Sequence, residues 1–182
     1  MTTPAQTSAS LQAKLGDGSL AGHWTLDSGR SSATLRSKSM WGLVSVKGTF
    51  RKLEGSGTVS PDGQASGSIA LAANSLDTKN KKRDVHLQSA DFFLSEKFPQ
   101  ITFSVAKVVP AAEGVTVSGT LTVRDRSRQI SFPATVGLAG DGDITLDAAV
   151  QVDRSEFGLT WNQMGMASMQ NTIGIHAVFT KN

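Results

Sequence analysis

From Gly22 onward the chain alternates between apolar and polar residues, and this period of two constrains the fold more than any other feature. The segment VTVSGTLTV at 115–123 places Val, Gly or Leu at every odd position and Thr or Ser at every even position. Because successive side chains of a β-strand point to opposite faces, strict alternation predicts strands with one apolar face. About eight or nine segments share the pattern, among them ITFSV at 101–105, ISFPATVGL at 130–138 and ITLDAAVQV at 144–152.

Short turn sequences separate these strands. They include EGSG at 54–57, PDG at 61–63, EG at 113–114 and GDGD at 140–143, and each offers Gly or Asp where a tight turn needs a positive φ. An antiparallel sheet of this size, with no alternating helices to cover its apolar face, must close on itself, which also removes its edge strands. The pattern therefore predicts an all-β fold, a closed eight-stranded antiparallel barrel.

The length of the chain suits a single domain, since it has 182 residues. Residues 1–20 are rich in Ser, Thr, Ala and Gln without periodicity, which predicts a disordered N-terminal tail before a barrel domain at 21–182. Cysteine is absent, which excludes disulfides and thiolate metal sites. The three histidines, His23, His86 and His176, lack the spacing of metal ligands.

The charge pattern argues against a nucleic-acid partner. The net charge is only +3, and the basic cluster Lys79, Lys81, Lys82 and Arg83 is too short for a nucleic-acid surface. No run approaches the ~18 apolar residues of a membrane span, and the first residues lack the basic and apolar regions of a secretory signal. We therefore expect no nucleic-acid binding, no stable membrane insertion and a cytoplasmic location.

Two segments interrupt the alternation. Residues 75–93 lack the period of two and contain Lys, Arg, Leu and Gln, which predicts one short helix over about residues 79–89, across one barrel end. Residues 157–171 hold three of the five Met and one Trp. Thioethers adapt to an irregular apolar partner, so this segment is a candidate lid over a ligand; the alternative is that it seals the barrel end without one. The lid residues would be Phe157, Trp161, Met164, Met166 and Met169.

The apolar face of the predicted barrel contains several small residues: Gly48, Gly119, Ala134, Ala148 and Ala177. An eight-stranded barrel is just wide enough to be filled by side chains, or to hold one small ligand if those side chains are small. The composition leaves open whether phenylalanines fill the interior or an elongated apolar tunnel runs through it. Such a tunnel would be lined by Phe50, Phe103, Leu121, Phe132 and Val136.

One stretch of the chain carries a specific motif. Residues 77–103 contain T-x-N-x-x-R-D-x-H-L, followed by D-F-F and F-P-x-I-x-F. Further motifs are W-x-L-D at 24–27 and D-R-S-E-F-G at 153–158. With these motifs the chain resembles the YceI-like, polyisoprenoid-binding family over residues 22–179.

The resemblance implies a lipocalin-like barrel with a helix at its mouth and a long apolar tunnel that holds an isoprenoid, such as a prenyl quinone or a polyprenyl phosphate. Many relatives are exported, and the hairpin Arg124-Asp125-Arg126 departs from their usual Gly-x-Thr turn, which we expect to alter the barrel rim. We expect an isoprenoid lipid as partner, no catalytic residue, no metal and no other cofactor, with a homodimer left open. The expected ligand contacts are Phe50, Arg83, Asp84, His86, Phe92, Phe93, Phe103, Leu121, Phe132, Val136, Phe157, Trp161, Met164 and Met166.

Arg83, Asp84 and His86 suit more than one role. Arg83 would pair with a phosphate or quinone oxygen at the mouth, or it would tie the helix to the barrel together with Asp84. Residues two apart on a helix point to different sides, which favours a structural His86 over a catalytic one. We favour an isoprenoid carrier over an isoprenoid-modifying enzyme built on these three residues and over a solid barrel that binds other proteins.

Overall fold

The computed structural model describes residues 4–139 and 142–182. Within these ranges it contains the helices α1 (Pro4–Gly16) and α2 (Lys81–Gln88) and eleven strand segments. The strand segments are β1 (Gly22–Leu26), β2 (Ser32–Ser39), β3 (Val44–Phe50), β4 (Leu53–Val59), β5 (Ala65–Ala72), β6 (Leu76–Asp77), β7 (Gln100–Pro110), β8 (Val115–Val123), β9 (Arg126–Leu138), β10 (Ile144–Asp153) and β11 (Gln170–Lys181).

The strand segments combine into eight long antiparallel strands. β1 and β2 pair with different parts of β11, so they form one long strand interrupted by a turn, and β3–β4 and β5–β6 are continuous in the same way. Each long strand pairs with its neighbours in sequence, and β11 returns to pair with β1 through Leu26–Phe179 and Trp24–Lys181. The prediction of a closed eight-stranded antiparallel barrel is confirmed.

The alternation seen in the sequence sorts side chains between the two faces of the barrel. In β8 every odd residue is buried and every even residue is partly exposed. The outward hydroxyl groups bind across the strands, with 2.8 Å between the Oγ atoms of Ser118 and Ser131 and 2.8 Å from Thr122 Oγ1 to Ser127 Oγ. The polar face therefore stabilises the strand pairing as well as meeting the solvent.

Helix α2 lies within the segment where the sequence predicts a helix. The side chain of Asn80 caps it by accepting a 3.0 Å hydrogen bond from the backbone N–H of Arg83. Lys79 precedes this cap with a positive φ of 61°, which explains why the helix begins later than predicted. At its other end, Ser89 Oγ donates to the carbonyl of His86 at 2.7 Å.

The N-terminal segment differs from its prediction. Residues 1–20 are expected as a disordered tail, whereas α1 covers Pro4–Gly16; residues 1–3 lie outside the described part. Leu11 of α1 is only 4% exposed and packs with Leu20 and Trp24 against the barrel end. Trp24 Nε1 also donates to the carbonyl of Leu20 at 3.0 Å. Tertiary packing of a few leucines therefore stabilises a helix that the local composition does not indicate, and the barrel carries a second helix in addition to the predicted one.

Candidate ligand-binding site

The barrel interior contains an apolar cavity of about 220 Å³. At one end it is covered by Leu11 and Leu15 of α1, together with Leu20 and Trp24. This end also carries the β4–β5 turn, since Gly63 lies against the carbonyl of Leu15. The cavity thus begins beneath α1, at the end of the barrel opposite α2.

Four of the five residues predicted to line a tunnel do line this cavity. They are Phe103, Leu121, Phe132 and Val136, and the rings of Phe103 and Phe132 lie 5.4 Å apart. Deeper wall residues include Leu71, Ile101, Ile130, Val150 and Ile173. The cavity therefore extends along the barrel from the α1 end past its middle.

Phe50 does not line the cavity. It is buried in the packed cluster at the α2 end, together with Phe93, Phe157, Leu76 and Leu159. Phe157 is among the most completely buried side chains, at 2% exposure. These aromatic rings close the α2 end from the inside, so that end of the barrel is filled by side chains, whereas the part beneath α1 is not.

The inward glycines do not provide the free space. A Cβ at Gly48 would come within 2.6 Å of Leu76 Cδ1, and a Cβ at Gly119 would come within 2.7 Å of Phe103 Cζ and 2.2 Å of the Ser104 carbonyl oxygen. Leu76 and the Phe103 ring therefore occupy the volume that these glycines leave. The cavity arises elsewhere, beneath α1.

Most of the predicted lid does not approach the cavity. Trp161 and Met164 are exposed and Met166 and Met169 are partly exposed, whereas Phe157 belongs to the packed α2 end. The chain in this region forms two 3₁₀ turns, Arg154–Phe157 and Gln163–Gly165, rather than a flap over the cavity. The packed cluster at the α2 end therefore lies between the Met-rich loop and the cavity that the predicted tunnel residues line.

Arg83 and Asp84 both bind Thr78. Arg83 Nε donates to Thr78 Oγ1 at 2.7 Å and its Nη2 donates to the Thr78 carbonyl at 2.9 Å. The Asp84 carboxylate accepts from the Thr78 N–H at 3.0 Å and from its hydroxyl at 2.5 Å. These contacts fit the interpretation in which the pair ties α2 to the strand before it.

His86 lies in a separate aromatic cluster at the α2 end. Its Nε2 is 2.8 Å from Asp91 Oδ2, and its ring packs edge-on against Trp161 at 4.5 Å and Phe92 at 5.2 Å. Because Asp84 is engaged by Thr78, the structure does not bring Arg83, Asp84 and His86 together around a common point. Phe92 is partly buried and Phe93 is buried, both away from the cavity wall.

Arg154, which is not among the residues predicted from the sequence, organises the loop before β11. Its side chain is 8% exposed and donates to the carbonyls of Leu159 at 2.5 Å, Trp161 at 2.9 Å and Ser168 at 3.0 Å. Burial lowers the pKa of the Arg154 guanidinium from its usual range. Its place in the D-R-S-E-F-G motif was the available signal.

The charged β8–β9 turn lies at the same rim. Arg124 has a φ of 58°, and its Nη1 donates to the carbonyls of Ala90 at 3.2 Å and Phe92 at 3.1 Å. The turn that departs from the family pattern therefore anchors the segment after α2, and residues 124–126 do not line the cavity.

The described ranges contain no group of three or more His, Cys, Asp or Glu arranged to hold a metal ion. Across residues 4–139 and 142–182, no helix has both the length and the apolar character needed to cross a bilayer.

The family model for the YceI-like domain matches residues 24–180. The chain belongs to the YceI-like family. It is 31% identical over 132 residues to a UPF0312 protein of Enterobacter sp. (strain 638), a match that covers 68% of this chain and 67% of that protein. It is 33% identical over 98 residues to Protein YceI of Escherichia coli O157:H7, covering 53% of this chain and 50% of that protein. This second match spans about half the length of the Escherichia coli protein.

Several solved structures share the barrel. BcnA of Burkholderia cenocepacia has a TM-score of 0.78 at 24% identity, covering 85% of this chain and 99% of that one. The Campylobacter jejuni YCEI protein has a TM-score of 0.66 at 26% identity, covering 77% and 88%. A polyisoprenoid binding domain from Saccharophagus degradans has a TM-score of 0.70 at 16% identity, covering 87% and 98%. Family membership and the apolar cavity inside the barrel together suit a binding protein.

Proposed function

We propose that the protein is a non-catalytic carrier that holds a long isoprenoid, a prenyl quinone or a polyprenyl phosphate, inside the barrel. The observation that carries the proposal is the elongated apolar cavity beneath α1, which is lined by Phe103, Leu121, Phe132 and Val136. A wall of this kind binds apolar carbon and offers little that would orient a polar substrate.

The class of ligand follows from how such a cavity gains affinity. Each CH₂ removed from water contributes ~0.8 kcal/mol, so a long hydrocarbon chain gains much of its binding free energy from the tail alone. The ordering of a flexible chain opposes part of that gain. The relative from Saccharophagus degradans, described as a polyisoprenoid binding domain, supports a branched prenyl chain over a linear one.

The non-catalytic role is supported by where the polar residues lie. Arg83 and Asp84 are both engaged by Thr78, and His86 binds Asp91. These contacts stabilise α2, and the packed cluster of Phe50, Phe93 and Phe157 separates them from the cavity. A reaction would need these groups to meet the ligand, which this arrangement does not favour.

The direct test is to purify the protein, extract it with organic solvent and analyse the extract by mass spectrometry. We expect an isoprenoid in amounts close to the protein itself. If the dominant lipid is a linear fatty acid, the proposed ligand class is wrong, although the proposed site is not contradicted. Turnover of a prenyl diphosphate by the pure protein would contradict the carrier role.

The site is tested by Phe132→Arg, with Ser131→Arg as its matched control. Phe132 faces the cavity, whereas the neighbouring Ser131 is exposed on the outer face. An unpaired charge in the bore costs several kcal/mol and blocks the tail, so we expect at least a hundredfold weaker binding of a prenyl quinone for Phe132→Arg alone.

Folding of both variants is checked by cooperative melting. If Phe132→Arg does not fold, Val136→Trp narrows the same cavity without a charge and should also weaken binding. Binding that is unchanged in a folded cavity variant would show that the ligand lies outside the barrel.

A further inference from the structure

The tip of the β2–β3 hairpin, residues 40–44, exposes an unusual amount of apolar surface. Trp41 is 66% exposed and Leu43 is 83% exposed, and Met40 and Val44 are 49% and 41% exposed. Isolated exposed hydrophobic residues are common, but four within five consecutive positions form a contiguous patch, which marks an interaction site.

A second exposed loop extends this patch. The backbone N–H of Trp41 donates to the carbonyl of Met166 at 3.3 Å, and the N–H of Ser168 donates to the carbonyl of Lys38 at 2.9 Å. The loop that contains Met166 is thereby fixed beside the hairpin, and its Met164 is 78% exposed. The apolar surface thus consists of the hairpin tip and Met164, and it projects from the α2 end of the barrel.

The charge around the hairpin tip is positive. The strands that carry the tip contribute Arg36, Lys38 and Lys47, all exposed, and the sequence contains no acidic residue between Asp27 and Glu54. β6 pairs with β3, which brings the start of α2 to the same end of the barrel. There Lys81 and Lys82 are also exposed, so this end of the barrel carries further cations besides those of the hairpin.

We propose that this end of the protein docks on an anionic lipid bilayer, with the hairpin tip inserted at the interface and the surrounding cations on the lipid phosphates. Trp favours the boundary between headgroups and acyl chains, and Leu and Met favour the apolar side of that boundary. Lys and Arg lay their aliphatic stems along apolar surface while their charged groups reach lipid headgroups.

The shape and charge of the surface favour a bilayer over a protein partner. The hairpin tip protrudes, whereas high-affinity protein interfaces centre on well-packed pockets and carry a depleted share of Lys. A protruding apolar tip beside exposed cations matches an interfacial anchor, which binds through shallow insertion and attraction to anionic lipids. The proposal concerns the outer surface, so it stands or falls independently of the ligand in the cavity.

The test is sedimentation of the full chain with vesicles of phosphatidylcholine alone and with vesicles containing about 30% phosphatidylglycerol, an anionic lipid whose surface potential attracts basic residues. We expect binding only to the anionic vesicles, weakened by salt, together with a blue shift of the tryptophan fluorescence. Equal binding to both vesicle types, or to neither, would overturn the proposal.

Two pairs of variants locate the surface. Trp41→Ser with Leu43→Ser should reduce binding to anionic vesicles at least tenfold, whereas Val109→Ser should not, because Val109 is 41% exposed at the opposite end of the barrel. Lys38→Glu with Lys47→Glu should abolish binding, whereas Lys107→Glu, on an exposed site of β7, should leave it intact.

All variants replace exposed residues, and melting curves check that each is folded. Light scattering tests the alternative that a second copy of the chain covers this surface. If the Trp41 and Leu43 substitutions convert a dimer to a monomer and the protein does not bind anionic vesicles, the patch is an interface between copies of the chain and the bilayer proposal is wrong.

Discussion

At the scale of single residues, the side chain of Arg154 holds a whole loop in position. Its guanidinium binds the carbonyl oxygens of Leu159, Trp161 and Ser168, and it packs 5.6 Å from the ring of Phe92. A guanidinium presents five donors in a fixed plane, which lets one side chain satisfy several carbonyls at once. Removing it leaves those carbonyls buried without a donor.

We therefore expect Arg154→Met to destabilise the protein by about 3 kcal/mol, because each buried carbonyl left without a donor costs about 1–3 kcal/mol. Arg128→Met is the matched control, since Arg128 is exposed on β9, and it should change stability by less than about 0.5 kcal/mol. Urea unfolding followed by circular dichroism gives both values. Similar stabilities for the two variants would show that the loop does not depend on Arg154.

The two inward glycines allow a second comparison at this scale. Gly119→Ala would push a Cβ against the Ser104 carbonyl, a backbone atom that cannot move without disturbing the β7–β8 pairing. Gly48→Ala meets the flexible end of Leu76 instead. We expect Gly119→Ala to cost about 1–3 kcal/mol and Gly48→Ala clearly less, as measured by denaturant unfolding; the reverse order would contradict the packing described for the interior.

At the scale of elements, α1 is the cover of the cavity. Leu11 and Leu15 form its inner face, and Trp24 lies beneath it. Leu11→Asp places a carboxylate on this apolar contact and should release the helix from the barrel end, whereas Gln12→Asp changes an exposed position of the same helix.

The measurement is acrylamide quenching of Trp24 in a background where Trp41 and Trp161 are replaced by Phe. We expect Leu11→Asp to raise quenching severalfold and Gln12→Asp to leave it unchanged, because Trp24 is buried only while α1 is in place. Unchanged quenching in a Leu11→Asp variant that still melts cooperatively would mean that α1 does not control access to the cavity.

The helices and strands differ in how well their own local sequences predict them. The strict alternation in β8 and the motif around Asn80 are local signals, and the strands and α2 follow from them. The segment PAQTSASLQAKLG of α1 contains few apolar residues and many polar ones, so its helical structure depends on a contact with the barrel end that no local pattern reveals. The Met-rich segment was interpreted from composition alone, and composition does not say which side of a loop faces the solvent.

At the scale of the whole molecule, a ligand that fills the cavity must stabilise the folded barrel, because the unfolded chain has no cavity to bind it. At a free concentration of about one hundred times Kd, the stabilisation is about 2.7 kcal/mol, which raises Tm by about 5–11 °C in a chain of this size. We expect this rise when a polyprenol is added to protein that was freed of lipid by unfolding and refolding.

A linear alcohol of equal carbon number is the control for this experiment, and it should raise Tm less than the branched polyprenol. Differential scanning calorimetry measures both. An absence of any rise with the polyprenol, in protein that refolds fully, would contradict binding inside the barrel.

The fold of the whole molecule was predictable from sequence, whereas the position of the free space within it was not. The alternation along each strand predicts by itself which face points inward, so eight such strands indicate a barrel. The cavity depends on which inward side chains meet across the closed barrel, as Leu76 meets Gly48 and Phe103 meets Gly119. These side-chain contacts depend on the register of the strands and on the curvature of the sheet, which the alternation along one strand does not specify.

The closure of the barrel by β11 has a consequence for the protein during its synthesis. β11 pairs with β10, β2 and β1, and it is the strand nearest the C-terminal end of the sequence. While a ribosome is still making residues 170–181, β10 and the long strand of β1 and β2 therefore have open edges, and the apolar interior faces water. Such edges pair readily with other chains, so we expect aggregation to be a hazard during synthesis until β11 has emerged and paired.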